Sequence, residues 1–460
     1  MRGRTVASLF VLAGLATSAH AGIASSIFAE TGPKSLAPGM GGLVFTAFDR
    51  PFRSLNGNWI ITATVNSGAT TTDEVIYTGS GSTGTLRVQE GVTGLDAGRT
   101  SDSASIDTKV AINDSGDYAF TANLSGATTD DEAIVVGAAG GGFTVAAREA
   151  QNIGTPPTFT GPVALGTIVD SPNLTNGGAL SYRSTPVTGG GAGSGNNTIA
   201  MRNNNATLDL RFGVSTPSNI PGRTYDALSA GDYFVDAAGA NWFALASVNG
   251  STADDGVVIL NGAAVFQEAV TSVGGGTALT FNEIGMNPNG DWWVRGSNSG
   301  ATGAGDWIAL GNPSGAFSTV AITDATITTS STEQWDDGIF TQTFFLFASD
   351  NAGNFVVGGV TNNANAAANA VLVYNGVLEI LREGDAIDLD GDGILNDNAF
   401  ISVFNNDDCF LDGTDFYFTG DIVDGSGASL GQAFMHMTVP APGAAALLGL
   451  ASLFAVRRRR

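Results

Sequence analysis

Short apolar stretches separated by polar, glycine-rich turns run along the chain from about residue 26 to residue 439. One stretch is the clearest: Asn113-Asp-Ser-Gly116-Asp-Tyr-Ala119-Phe120. A polar residue stands three before the glycine and a hydrophobe four after it. The same arrangement recurs at Gly57, Gly178, Gly239, Gly290, Gly353 and Gly413, and successive anchors are 59, 62, 61, 51, 63 and 60 residues apart. The residue three before is Ser54, Asn113, Thr175, Asp236, Asn287 or Asp350, with Phe410 breaking the rule in the last unit. The residue four after is Ile61, Phe120, Tyr182, Phe243, Val294, Val357 or Tyr417. Asn, Asp, Ser and Thr can bond their side chains to backbone two residues on, and Gly supplies the positive φ of a tight hairpin. The alternation that follows, as in Gly290-Asp-Trp-Trp-Val294, reads as a strand with one buried face.

Each unit continues alike. A short apolar strand follows the polar loop: Glu74–Tyr77, Ala133–Val136, Gly256–Ile259, Asp306–Ala309 and Ala370–Val373. A further strand ends in Glu at several positions: Leu86–Glu90, Val145–Glu149, Val265–Glu268 and Leu378–Glu383. With the strand before the glycine turn, for example Lys109–Ile112, each unit has four strands. Seven such units of about 60 residues predict an all-β fold, a seven-bladed β-propeller. The last unit ends at its third strand, Ala433–Val439, whereas Ser26-Ile-Phe-Ala-Glu30 matches a fourth strand with no unit before it. The N-terminal strand is therefore expected to complete the last blade and close the ring, removing two exposed sheet edges. A row of β-sandwiches or an open β-solenoid would leave both orphan strands unexplained.

Charge then places the chain. The formal net charge is −24, and Lys34 and Lys109 are the two lysines. Such a surface repels nucleic acid and anionic lipid. The ends carry addresses. Arg2 and Arg4, an apolar run from Val6 to Ala16 and the exit Ala19-His-Ala21 make a secretory signal peptide over residues 1–21. The tail, Val439-Pro-Ala-Pro442 followed by an apolar run to Val456 and Arg457 to Arg460, resembles a PEP-CTERM sorting signal, with Pro440-Ala441-Pro442 where the name expects Pro-Glu-Pro. That resemblance implies recognition of residues 440–460 by an exosortase-type enzyme, with membrane contact confined to the tail. The body is then the propeller of residues 22–439, exported to the cell surface or beyond. Asn113 to Phe120 also fits the NxxGxxAF motif of the bacterial choice-of-anchor tandem repeat proteins. This resemblance implies tandem repeats on an anchored, exported protein and implies no reaction.

Candidate chemistry is sparse. Asp388-Leu-Asp390-Gly-Asp392-Gly393-Ile-Leu-Asn396-Asp397 spaces acids at positions 1, 3 and 5 with Gly at 6, the pattern of calcium loops. Ala399 stands where an EF-hand has its bidentate Glu, so Asn396 or Asp397 is expected as the far ligand, and the calcium is expected to be structural. Gly79-Ser-Gly-Ser-Thr-Gly84 matches GxGxxG, but strands flank it, so it reads as a hairpin with no helix N-terminus to offer a phosphate. His436, the one histidine outside the signal peptide, lies in an apolar strand, which leaves a serine hydrolase without its base. Cys409 reads as a buried small residue.

Ser349-Asp-Asn-Ala-Gly353-Asn-Phe355 is loosely similar to the Asp-box turns of propeller sialidases, which are structural there. Sialidases also grip a carboxylate with three arginines, and spacing does not select among Arg148, Arg183, Arg295 and Arg382. The recurrent Glu30, Glu90, Glu149, Glu268 and Glu383 read as a repeated turn or interblade contact.

The expected function is a non-catalytic surface propeller binding envelope or extracellular-matrix material, with polysaccharide as the ligand through exposed Trp and Asn-rich loops such as Asn196-Asn197 and Asn203-Asn-Asn205. The alternatives are a propeller glycoside hydrolase or lyase using funnel carboxylates, and a surface-layer spacer. A funnel lined by clustered Asp, Glu and Arg favours the enzyme, an aromatic face the binder, and a featureless face the spacer.

Overall fold

A computed structural model of the chain describes residues 22–102, 109–191, 197–298, 305–336 and 342–439. The segments expected to be a signal peptide (1–21) and a sorting tail (440–460) lie outside these residues. Seven antiparallel four-stranded sheets form a seven-bladed propeller. The innermost strands are Phe45–Phe48 with Phe52–Arg53 (blade 1), Val110–Ile112, Ile168–Leu174, Tyr225–Val235, Thr280–Met286, Phe344–Ser349 and Ala399–Asp412 (blade 7). The only helical element among the described residues is a three-residue 3-10 turn, Gly32–Lys34.

All seven anchor glycines have positive φ, from 62° at Gly413 to 90° at Gly290, as the turns require. The turn of blade 2 shows the mechanism. Asn113 Oδ1 accepts from the N–H of Ser115 and of Asp117, both at 3.0 Å, and Gly116 N donates to Asn113 O at 3.0 Å. Asn113 Nδ2 then donates to Thr175 O, tying this turn to that of blade 3. Asn287 ties blade 5 to blade 6 in the same way, through Ser349 Oγ at 2.8 Å and Asp350 O at 3.2 Å. Phe410 breaks the rule because blade 7 turns more tightly: Asp412 pairs with Asp415 across Gly413-Thr414, so no side chain three residues back is needed.

The ring closes as expected. Ser25–Ala29 pairs antiparallel with the third strand of blade 7, Ser429–Thr438, joining Ala29 to Ala433. A bulge between Ser26 and Phe28 turns both Ile27 and Phe28 toward blade 1, where Phe28 meets Phe45, Phe48, Trp59 and Tyr77. Gly22 rests against Thr438, so the two ends of the described chain are adjacent.

The core is divided into seven clusters, one between each pair of successive blades. The second strands, expected to bury one face, are buried on both: Trp292–Ser297 and Leu180–Thr185 are buried throughout. Each sheet has a neighbour on either side, so the face expected to be wet is covered. For the same reason the expectation of exposed tryptophan is wrong. All six are buried, none above 4% exposure, and Phe317 is the one exposed aromatic residue among those described. Glycine inside strands makes room for these rings: a Cβ on Gly311 would overlap the Trp292 indole, and one on Gly79 the Trp59 indole.

Candidate functional site

The seven inner strands surround a central channel. Three of them carry multi-residue bulges, between Asp170 and Asn173, Leu228 and Tyr233, and Phe404 and Cys409. Ser171 (φ 55°), Gly231 (φ 84°) and Asp407 (φ 53°) take left-handed backbone inside them. Such bulges re-aim side chains, and non-glycine residues hold that conformation only where the surroundings enforce it.

At the blade 7 bulge, buried Asp407 is clamped by the Arg295 guanidinium and by the N–H of Phe347 at 3.2 Å. Burial raises the Asp407 pKa and Arg295 opposes the rise. Arg295 also donates to Phe344 O, one blade on from its own. Blade 3 repeats the device: Arg183 binds Asp170, with Nε at 2.8 Å from Oδ1, and donates to Leu228 O of blade 4 at 3.1 Å. Arg50 of blade 1 reaches across to Glu283 of blade 5 at 2.9 Å.

Beside this network stands Asp408, whose pKa burial pushes up to about 7 against the pull of Arg50, with Asp49 and Asp407 adding to the rise. Burial also raises Asp49, although Thr62 Oγ1 donates to it at 2.7 Å. The same burial lifts the Cys409 thiol well above its ordinary range, which keeps it an unreactive core residue as the sequence suggests. The channel therefore does cluster Asp, Glu and Arg, and no tryptophan offers an exposed face.

Toward the ring of glycine turns, the channel widens into a cavity of about 120 Å³ lined by residues of all seven inner strands. Its cations are Arg50, Arg53 and Lys109. Arg53 bridges three blades, donating to Asp412 at 3.3 Å and Asn351 at 3.4 Å.

The four arginines considered as a carboxylate grip do not converge. Arg183 and Arg295 serve blade junctions, Arg148 pairs with Asp96 and Asp130, and Arg382 pairs with Glu379 and Glu333. The recurrent glutamates each follow the last residue of a fourth strand and close its ladder to the third. Glu90, Glu149, Glu268 and Glu383 donate their N–H to Glu74, Glu132, Gly256 and Ala370 carbonyls at 2.8–3.0 Å. The Glu30 and Glu268 carboxylates fold back to accept N–H groups of Gln432 and Gly256. These are turn contacts within one blade. Asn203, Asn204 and Asn205 form a left-handed turn whose side chains are used locally, Asn204 Oδ1 accepting Leu180 N at 2.8 Å. Asn196 lies outside the described residues. Gly79 to Gly84 is the hairpin expected, with Ser80 opposite Thr83. His436 packs in its strand on Tyr417 and meets Asp415 at 2.9 Å.

The acidic loop joins blade 6 to blade 7 and lies against the closing strand. Ser26 N donates to Asp388 O at 2.9 Å, and Asp388 N to Ala24 O at 3.0 Å. The carboxylates of Asp388, Asp390 and Asp397 come within 4.8 Å of one another, while the Asp392 carboxylate stays outside that group. Asp392 Oδ1 instead accepts Ile394 N at 2.7 Å. Asp388 is the keystone of the loop. It accepts from Gly391 N, Asp392 N, Gly393 N and Ser25 Oγ at 2.7–3.1 Å. Burial acts to raise its pKa, and these hydrogen bonds together hold it below the usual carboxylate range. At exposed Asp390 the Asp392 N–H lowers the pKa, but desolvation and the neighbouring carboxylates raise it by more. The donors are the hard oxygens calcium takes.

No protein-family model matches this sequence, and no curated protein matches it. Among solved structures, the chain is similar to a Mycobacterium tuberculosis puromycin-hydrolyzing peptidase at 12% identity and TM-score 0.38, covering 90% of this chain and 56% of the peptidase. It thus spans about half of that protein. It is also similar to an α-L-arabinofuranosidase from Fusarium graminearum (10% identity, TM-score 0.32, 91% and 98% covered) and to Trypanosoma rangeli sialidase (9%, 0.31, 91% and 58%). Likeness this weak transfers no activity.

Proposed function

We propose that this chain is an exported, surface-associated propeller that binds envelope or matrix carbohydrate in its central channel without cleaving it. The observation that carries the reading is the state of the channel carboxylates. Asp407 is held by Arg295, Glu283 by Arg50, Asp49 by Thr62 and Asp408 by Thr419 Oγ1 at 3.4 Å, so all four acids are occupied in joining blades or strands. A hydrolase needs two carboxyl groups free to face the substrate in different protonation states. Hydrogen bonding by the channel's polar groups takes over the role assigned to tryptophan stacking. Export, exosortase-type processing of the tail and exclusion of nucleic acid as partner rest on the sequence features of the two ends and on the acidic surface.

The loop Asp388 to Asp397 is proposed to take calcium as a structural ion, relieving repulsion among its carboxylates and fastening the closing strand. A second reading, a propeller glycosidase or lyase, is favoured by one observation: Asp408, protonated up to about pH 7, stands beside ionisable partners.

The test is the exported protein on a panel of bacterial and environmental polysaccharides, with calcium or with chelator, scoring binding and product release together. Binding without product is expected. Saturating calcium should raise the melting temperature by a few degrees, since a ligand at 100 times its Kd adds about 2.7 kcal/mol. Product release that disappears in Asp408→Asn would replace the binding reading with the enzymatic one.

A further inference from the structure

The charge of the channel reverses along its axis. Asp49, Glu283, Asp407 and Asp408 gather at one level, whereas the cavity toward the glycine turns is lined by Arg50, Arg53 and Lys109 and by no carboxylate side chain. Arg53 is paired with Asp412, and Lys109 Nζ donates to Gly231 O and Tyr233 O, so Arg50 is the cation of this cavity with donors to spare. Arg50 sits at the boundary. It donates a single hydrogen bond, to Glu283, so most of its guanidinium fork is available to an acceptor in the cavity. The walls beside the cations are flat and apolar. Arg50 lies 5.5 Å from the Phe52 ring centre, and Lys109 Nζ lies 3.9 Å from that of Phe234. At about 120 Å³ the space is near the roughly 150 Å³ of a cavity that holds benzene, so it receives the carboxylate and one edge of a ring while the rest of the ligand stays at the mouth.

We propose that this cavity binds a carboxylate-bearing sugar ring of the uronic-acid class, its carboxylate on Arg50 and its ring against the aromatic walls. The inference rests on the carbohydrate-binding reading above and names its ligand class. A bare inorganic anion would satisfy Arg50 but leave the aromatic walls in contact with water. A neutral sugar would use the walls and leave Arg50 to Glu283 alone. Glu283 competes for Arg50, and this competition supplies a test of sign.

Calorimetric titration of the exported protein with galacturonate, galactose and inorganic phosphate reads the proposal. Galacturonate is expected to bind at least about tenfold tighter than either control, the scale of one charge-assisted hydrogen bond. Arg50→Gln should weaken it about tenfold or more, whereas Glu283→Gln, which frees Arg50, should tighten it severalfold. Equal affinity for galactose overturns the proposal, as does weakening by both substitutions, which would mark the pair as merely structural. Oligogalacturonate binding as tightly as the monomer assigns the cavity to a chain end, and binding of the monomer alone assigns it to the free acid. Either result upholds the site. A neutral polysaccharide bound in the channel while galacturonate is ignored removes this inference and keeps the binding reading, and no carbohydrate binding at all removes both.

Discussion

Removing residues 22–30 should cost this protein most of its stability. The closing strand is only Ser25–Ala29, yet it completes blade 7 and reaches two of the seven core clusters. Ile27 and Phe28 are 3% and 4% exposed. At roughly 1.5–3 kcal/mol for each buried apolar side chain, they alone contribute about 3–6 kcal/mol. Deletion also frees the edge of Ser429–Thr438 and strips Asp388 of its bonds to Ala24, Ser25 and Ser26. Against a typical unfolding free energy of about 5–15 kcal/mol, this loss is decisive. Chemical denaturation should show a midpoint far below that of the intact protein, or aggregation through the exposed edge. An unchanged midpoint would mean that the strand is ornamental.

Arg295→Ala should be nearly as damaging, and its effect should depend on pH. The substitution removes the cation paired with buried Asp407, leaving it only the pull of Arg50, and removes a donor to Phe344 O. Breaking such a buried pair costs about 3–5 kcal/mol. The sign of the pH dependence follows from protonation. Burial already raises the Asp407 pKa, and loss of Arg295 raises it further. Between the ordinary carboxylate value and the raised one, the folded state holds a proton that the unfolded state has lost, so stability falls as pH rises through that window. The destabilisation should therefore be largest at neutral pH and shrink toward pH 4. Asp407→Asn in the Arg295→Ala background should recover part of it at neutral pH and little at pH 4. A deficit independent of pH would contradict the assignment of the charge to Asp407.

Much of the architecture was legible because it repeats. A glycine turn with an Asx-type residue before it is a local device, and seven copies near 60-residue spacing leave few folds that can use them. The orphan strand at Ser26 and the incomplete unit after Gly413 carried the closure. What the pattern hid was context. Trp292 and Trp293 are consecutive, so they fall on opposite faces of one strand and the pattern leaves one ring on the face expected to be wet, but a blade has sheets on both sides, so both rings are buried. Glycine reads as a turn former, yet Gly311 and Gly79 are slots for indoles. The channel network was invisible for a different reason. Asp49-Arg50, the cross-strand pair Glu283 and Arg295, and Asp407-Asp408 share no spacing, since they come from blades 1, 5 and 7 and the three sets meet only after the ring closes. One signal was available: Asn405-Asn-Asp-Asp408 interrupts an apolar strand with four polar residues, which is how a bulge on an inner strand reads. The Asp388 loop was the reverse case. Its three convergent carboxylates follow from local spacing, whereas its attachment to the N-terminal strand depends on residues more than 360 positions away.

The account turns on a closed ring, and a circular permutant tests that directly. Residues 315–439 would be joined through a short Gly-Ser linker to residues 22–314, exploiting the contact between Gly22 and Thr438. The new N-terminus then leads into Phe317–Ile322, the fourth strand of blade 5, which must return to close on Asp306–Gly311 at the other end. The closing device is thereby moved from blade 7 to blade 5. Thermal unfolding should remain cooperative, with a midpoint lowered by only about 2–4 °C for each kcal/mol of linker and end effects. A permutant that cannot fold, while a control carrying the same linker inserted after Ser314 folds normally, would place residues 22 and 439 far apart and contradict the ring.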